Sequence, residues 1–144
     1  MAELLLIVRL AGRRIACPAS QVEGLVELEG IVPVPRAAPH VAGLSALRSR
    51  VLTVIDANAA LGFQAEKDAV AGDAIVVPCD GHHYALRVEA VEDVVEASAP
   101  PAPMAAQAGR GWDRVALGMV DVGADLLLLV DLHRFIAGSP ALAA

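Results

Sequence analysis

Hydrophobic positions along this chain come in short runs separated by polar or turn-forming residues. In the first half the runs are Leu4–Leu10, Arg14–Cys17, Leu25–Ile31, Gly43–Leu47 and Arg50–Asp56; in the second they are Ala74–Cys79, His83–Arg87, Val94–Ala97, Val115–Val122 and Asp125–Asp131. Short runs rich in Val, Ile and Leu, bounded by Gly, Pro, Asp or Ser, predict strands. Ala11-Gly12 and Asp80-Gly81 separate the first two runs of each half, which is the chemistry of a tight hairpin turn. One-turn helical links are expected over Ala19–Glu23 and Val88–Glu92, and short helices over Ala57–Leu61 and Leu132–Ile136. Asp56 and Asp131 close the strands before the two later helices and are placed to cap them. Prolines 33, 35 and 39, and again 100, 101 and 103, forbid a central strand between the third and fourth runs of each half.

The two halves echo each other. Ile7–Glu27 laid on Val76–Glu96 at an offset of 69, without a gap, matches Gly12 to Gly81, Ala16 to Ala85, Val22-Glu23 to Val91-Glu92 and Val26-Glu27 to Val95-Glu96. Further on, Gly43 and Gly118 stand 75 apart, as do Asp56 and Asp131. Repeats of this kind mark structural copies. About five strands in roughly 65 residues must close on themselves to hide their edges, which makes each copy a small barrel. The expected fold is all-β: two pseudo-symmetric five-stranded barrels packed as one unit, with short helices at the linkers and C-terminus. Residues 1–144 are read as one domain, with copies at approximately 4–62 and 73–137 and an exchange of strands between them left open. Lys67-Asp68 and Gly72-Asp73 mark the connection.

Composition narrows the function. At 56% hydrophobic and 19% charged, the chain can bury enough surface to offset its ordering entropy. The mean hydropathy of +0.57 raises a membrane span as a question. Leu4–Val8 and Leu126–Val130 are the longest apolar runs, far short of the ~20 residues a spanning helix needs. No basic flank or cleavage-type site makes the start a secretory signal, so a soluble, cytoplasmic protein is expected. A net charge of −6, a pI near 5.1 and 3% aromatics argue against a nucleic-acid surface, which needs a basic stripe and stacking rings. Cys17 and Cys79 read as buried free thiols in a reducing compartment, with a single disulfide between them as the alternative.

Candidate chemistry is sparse. His82 and His83 are adjacent, and adjacent strand residues point to opposite faces, so they do not chelate one ion. They stand opposite Arg13-Arg14 in the repeat, as on an exposed hairpin. Asp56 and Asp131 are isolated caps, not a dyad. The chain holds no GxSxG, P-loop or GxGxxG, and Gly109-Arg110-Gly111 reads as loop. No enzyme, metal or cofactor is expected. Trp112 is expected to pack where the fourth strand of the second copy begins.

Pro39–Gly62 (PHVAGLSALRSRVLTVIDANAALG) resembles the CheW-like family of bacterial chemotaxis coupling proteins. Pro39, Val41, Gly43, Leu44, Leu47, Arg48, Val51, Leu52, Val54, Ile55 and Asp56 fit that family's signature. Val22-Glu23 with Leu25-Val26, Tyr84–Val91 and Leu126–Ile136 fit its other landmarks in order, so the resemblance spans nearly the whole chain. It implies two SH3-like barrels and a non-enzymatic adaptor that joins the cytoplasmic tip of chemoreceptors to the regulatory domain of a CheA-type histidine kinase. It also implies partner binding through Val22, Gly43, Leu47, Arg48 and Ser49, recruitment to receptor arrays without membrane insertion, and no nucleic-acid partner. The chain departs from the family at Ala46, Ser49, Thr53 and Gly24, which motivates a second reading, a divergent scaffold for another chemosensory pathway or a competitor of the standard coupler. A nucleic-acid-binding barrel and a small enzyme are the remaining rivals. For Leu25, Val26, Val91 and Val94 the sequence leaves core and interface readings equally open.

Overall fold

Ten strands and three short helices follow one another in the computed structural model, which describes residues 3–47, 49–64, 72–97, 101–103, 108–123 and 125–137. The strands are β1 (Leu4–Leu10), β2 (Arg13–Pro18), β3 (Gly24–Leu28), β4 (Val41–Leu47), β5 (Arg50–Ile55), β6 (Gly72–Cys79), β7 (His82–Arg87), β8 (Ala90–Glu96), β9 (Ala116–Asp121) and β10 (Leu126–Val130). The helices are α1 (Ala57–Ala60), α2 (Trp112–Val115) and α3 (Leu132–Ala137), with a 3-10 turn at Ala19–Gln21.

Two five-stranded sheets result, ordered β8-β1-β2-β10-β9 and β3-β6-β7-β5-β4. Each sheet takes its hairpin from one half of the chain and its other three strands from the other half. Hairpin β1–β2 sits between β8 and β10, and hairpin β6–β7 sits between β3 and β5. The register keeps the repeat: Val26 opposite Ala74 in one sheet corresponds, 69 positions on and back, to Val95 opposite Leu5 in the other. Both hairpins turn on two residues with positive φ, Ala11 (50°) and Gly12 (77°), and Asp80 (51°) and Gly81 (82°). This is the primed turn whose twist matches the flanking strands.

Three apolar clusters hold the sheets. Leu5, Ile7, Ala16, Val120, Leu127 and Leu129, with Val95 against them, draw on all five strands of the first sheet. Leu28, Leu52, Val54, Ala74, Val76 and Ala85, with Val26 and Ala42 against them, draw on all five of the second. A flat sheet cannot bring its first and last strands to one cluster, so each sheet curls into a barrel. The alternate residues of the same inner strands (Leu6 and Val8, Ile15 and Cys17, Ile75 and Val77, Leu128 and Val130) form the third cluster, shared between the barrels. Strands buried on both faces account for the unbroken aliphatic runs.

The caps are as expected: Ala59 N donates to Asp56 Oδ1 (3.0 Å), and His133 N donates to Asp131 Oδ1 (3.0 Å). Asp131 also accepts from Gln21 Nε2 (2.9 Å), tying α3 to the 3-10 turn. Other expectations need correction. The link at Val88–Glu92 is not helical, because its backbone is bound to neighbouring strands instead of itself. Val88 N donates to Asp73 O (3.1 Å), Glu89 N to Arg9 O (2.7 Å), and β8 begins at Ala90. The third strand stops at Leu28; beyond it Val32 bridges Leu44, as Ala102 bridges Met119 in the second half. The fourth strand of the second half begins after α2, where buried Trp112 meets Phe135 edge-on (6.4 Å between centroids) beneath the Arg13 guanidinium. Cys17 and Cys79 are both free. Burial pushes the Cys17 thiol up to about 12, whereas Cys79 ends β6 beside Asp80 and is only half-buried. Lys67-Asp68 lies outside the described residues.

Candidate functional site

Strand β3 is an edge strand of its sheet, bonded to β6 on one side only. Its alternation places Val26 and Leu28 in the barrel and leaves Leu25 and Glu27 facing out, with Leu25 54% exposed. Grooves flank it on both sides. One, of about 490 Å³, lies between Leu25, Val26 and Glu27 and the β4–β5 turn with Leu47, Ser49 and Arg50. The other, of about 280 Å³, runs over Leu25, Val26, Glu27, Asp73 and Ala74 to Val91 on β8 and so spans the two barrels.

Of the residues expected to bind partners, Leu47 and Ser49 come together in the first groove, Leu47 half-buried on the barrel cluster and Ser49 exposed. Arg48 lies outside the described residues. Val22 packs against the shared core at the head of β3 and lines neither groove. Gly43 is buried in β4 with φ 152°, directly beneath the Val32 carbonyl. Its place in the family signature is explained by that close backbone approach. The open choices also separate: Leu25 and Val94 are exposed (54% each), Val26 packs into a barrel, and Val91 packs against the shared core.

Sequence reading overlooked the charged residues here. Glu23 accepts from Arg50 Nη1 (2.6 Å) and lies 3.1 Å from His83 Nε2, joining the head of β3 to β5 and β7. The Arg50 hydrogen bond, with the nearby His83, holds the Glu23 carboxyl below its ordinary range. A depressed folded-state value stabilises above the unfolded value and is lost as pH falls through the folded one. All three groups are solvent-accessible, so the effect on stability is small. Arg50→Gln is expected to raise the Glu23 titration midpoint toward that of a free glutamate, read by carboxyl NMR; an unmoved midpoint would refute the pairing.

A larger, polar cavity of about 850 Å³ is lined by Gly12, Asp56, Asn58, Asp73, Arg87 and Glu89 among others. Two of its three carboxylates serve the fold: Asp56 caps α1, and Glu89 accepts from Gly12 N (2.5 Å) in the β1–β2 turn. Among the described residues no three His, Cys, Asp or Glu side chains gather to hold a metal ion, and no helix is long and apolar enough to cross a membrane.

The family model for the CheW-like domain matches residues 4–139. The chain belongs to the CheW-like family. That family is one of non-enzymatic scaffold proteins in chemotaxis. Among solved structures the chain is similar to the scaffolding protein TtCheW from Thermoanaerobacter tengcongensis, at 19% identity and a TM-score of 0.77, covering 94% of this chain and 92% of that one. The likeness extends to the fold, a pair of SH3-like barrels. Among curated proteins nothing matches the chain.

Proposed function

We propose that this CheW-like chain is an adaptor of the cytoplasm that couples the tips of chemoreceptors to the regulatory domain of a CheA-type histidine kinase within membrane-associated arrays. The observation that carries the reading is the pair of grooves on either side of β3, one between the barrels and one at the β4–β5 turn. A coupler must hold two partners at once, and two apolar-floored grooves separated by one strand supply distinct docking surfaces on a rigid frame. In this reading the receptor tip takes the inter-barrel groove, near Val22. The kinase takes the β4–β5 side, with Leu47, Arg48 and Ser49; Gly43 supports that side by fixing the start of β4. Residues 1–144 act as one unit, since each sheet needs strands from both halves.

Co-sedimentation with a receptor cytoplasmic fragment and a kinase tests the reading; binding to neither at micromolar concentration would sink it. Arg48→Glu is expected to leave melting near that of the wild type, within about ±0.5 kcal/mol. It should weaken kinase or receptor binding roughly tenfold or more, because reversed charge at an interface opposes like with like. Unchanged affinity would remove Arg48 from the docking surface.

Ala46 and Ser49 favour one variant of this reading, a scaffold serving another chemosensory pathway. Both are exposed on the β4–β5 hairpin and differ from the family signature, so they alter the surface without altering the fold. Binding assays against several receptor and kinase classes discriminate the two.

A further inference from the structure

Between β2 and β3 the chain crosses from one sheet to the other, and the crossing is short: Pro18 ends β2 and Gly24 begins β3. The 3-10 turn at Ala19–Gln21 rests on β1 but buries none of its own residues, and no side chain among the described residues caps it. Gln21 fastens it. Gln21 Nε2 donates to Asp131 Oδ1 (2.9 Å), and Gln21 Oε1 accepts from Leu132 N (2.9 Å). Both ends of the amide are used, in the one orientation that gives the carboxylate a donor and the backbone N–H an acceptor. Asp131 and Gln21 thus share the first turn of α3, Asp131 taking His133 N and Gln21 taking Leu132 N.

The repeat shows that this clamp belongs to one copy. At the offset of 69, Gln21 falls on Ala90, whose side chain has no polar atom to offer. There the lead into β8 is held by backbone, Val88 N on Asp73 O (3.1 Å) and Glu89 N on Arg9 O (2.7 Å). The corresponding Ala19 and Ser20 lie in the 3-10 turn, where Val22 N donates to Ala19 O (3.0 Å). Val22 packs against the shared core, a contact that sets the depth of the crossing but has no direction. Hydrogen bonds have direction. The next along the chain are at Glu23, whose N–H donates to Val76 O (2.7 Å) and whose carboxylate meets Arg50 and His83. The head of β3 is therefore held between the clamp on α3 and the contacts of Glu23 with β5, β6 and β7. Because β3 is bonded to β6 alone, a shift of its head carries Leu25, Val26 and Glu27 with it.

We propose that Gln21 is a positioning residue for docking: clamped to the first turn of α3, it sets where β3 enters its sheet and so fixes Leu25 and Glu27 in the two grooves. Docking itself rests on the adaptor reading; the placement of β3 rests on the clamp alone.

The test compares the wild type with Gln21→Met, which keeps the length of the side chain and loses both bonds. A second, double variant, Gln21→Glu/Asp131→Asn, exchanges amide and carboxylate. It offers the clamp with donor and acceptor reversed and keeps a good capping residue before α3, giving up only the exposed Arg134 pair. Three quantities are read: amide exchange at Leu132, the Glu23 titration midpoint by carboxyl NMR, and affinity for a chemoreceptor cytoplasmic hairpin. Gln21→Met is expected to speed exchange at Leu132 roughly tenfold and to raise the Glu23 midpoint toward that of a free glutamate. It should weaken hairpin binding roughly fivefold or more, and the double variant should return all three toward the wild type. Faster exchange at Leu132 with Glu23 and hairpin affinity unmoved would make Gln21 a helix cap and nothing more, and would overturn the inference. Unchanged exchange at Leu132 would overturn it as well, by removing the clamp. If Gln21→Met melts without cooperativity, the double variant decides: recovery of the Glu23 midpoint and of affinity supports the inference, and no recovery overturns it. The hairpin separates the two readings. A wild type that does not bind it sinks the adaptor reading and leaves the placement of β3 to the Glu23 midpoint, whereas equal binding by wild type and Gln21→Met leaves that reading standing and removes Gln21 from docking.

Discussion

Phe135→Ala is expected to cost about 3–5 kcal/mol, the range for removing a buried aromatic ring. Phe135 is 0% exposed on α3, within the cluster that both barrels share, and its ring meets Trp112 edge-on at 6.4 Å. Helix α3 has nowhere to collapse, since α1 and α2 lie on it and β6 and β7 lie beneath it. A domain of this size has roughly 5–15 kcal/mol in all, so the melting temperature should fall by more than about 10 °C. Trp112, the sole tryptophan, reports the loss by fluorescence. Because the cavity opens in a core common to both sheets, fluorescence and circular dichroism should show one coincident transition. A loss below about 1 kcal/mol would mean that the ring is not held in the shared core.

Gly43→Ala should be nearly as damaging, for a backbone reason. At φ 152° only glycine is comfortable, and an added Cβ would collide with the Val32 carbonyl oxygen and the Ile31 side chain. Val32 and Leu44 exchange both backbone hydrogen bonds (2.8 Å each), so the new atom cannot be accommodated without opening that bridge. Strain plus a lost bridge should cost about 2–4 kcal/mol in urea unfolding. Gly118→Ala should behave alike, since its φ is 154° and its Cβ would come within 2.6 Å of the Ala102 carbonyl oxygen. Gly24→Ala is the control: nothing lies within 4 Å of its added Cβ, and the change should fall within about ±0.5 kcal/mol. Equal effects at Gly43 and Gly24 would dismiss the close-approach explanation.

These two predictions divide along the line between local and tertiary information. The hairpin turns at Ala11-Gly12 and Asp80-Gly81, the caps at Asp56 and Asp131, and the ten strand runs were legible because each depends on residues within a few positions of one another. The pairing of Gly43 with Gly118 at a fixed spacing was legible too, although its cause, a bridging backbone overhead, was not. The link at Val88–Glu92 was misread as helical for the same kind of reason. Its own residues permit a turn, but hydrogen bonds to Asp73 and Arg9 hold it open.

The sequence by itself determined that this is a duplicated, all-β chain of the CheW-like family, because repeat spacing, aliphatic runs and turn residues are written in linear order. Tertiary structure alone decided which partners each strand has. Nothing local places β2 beside β10 or β5 beside β7, and those pairings are what exchange the hairpins between barrels. It also decided that Leu25 faces solvent while Val26 faces a core, and that Glu23 meets Arg50 and His83. Whether Glu27 confronts Asp73 was likewise invisible, since these residues lie 46 positions apart and meet only through the β3–β6 register. A one-residue slip would turn Glu27 toward the barrel and Val26 toward solvent; burial of one face of β3 forbids it, and that constraint exists only once the barrel has closed.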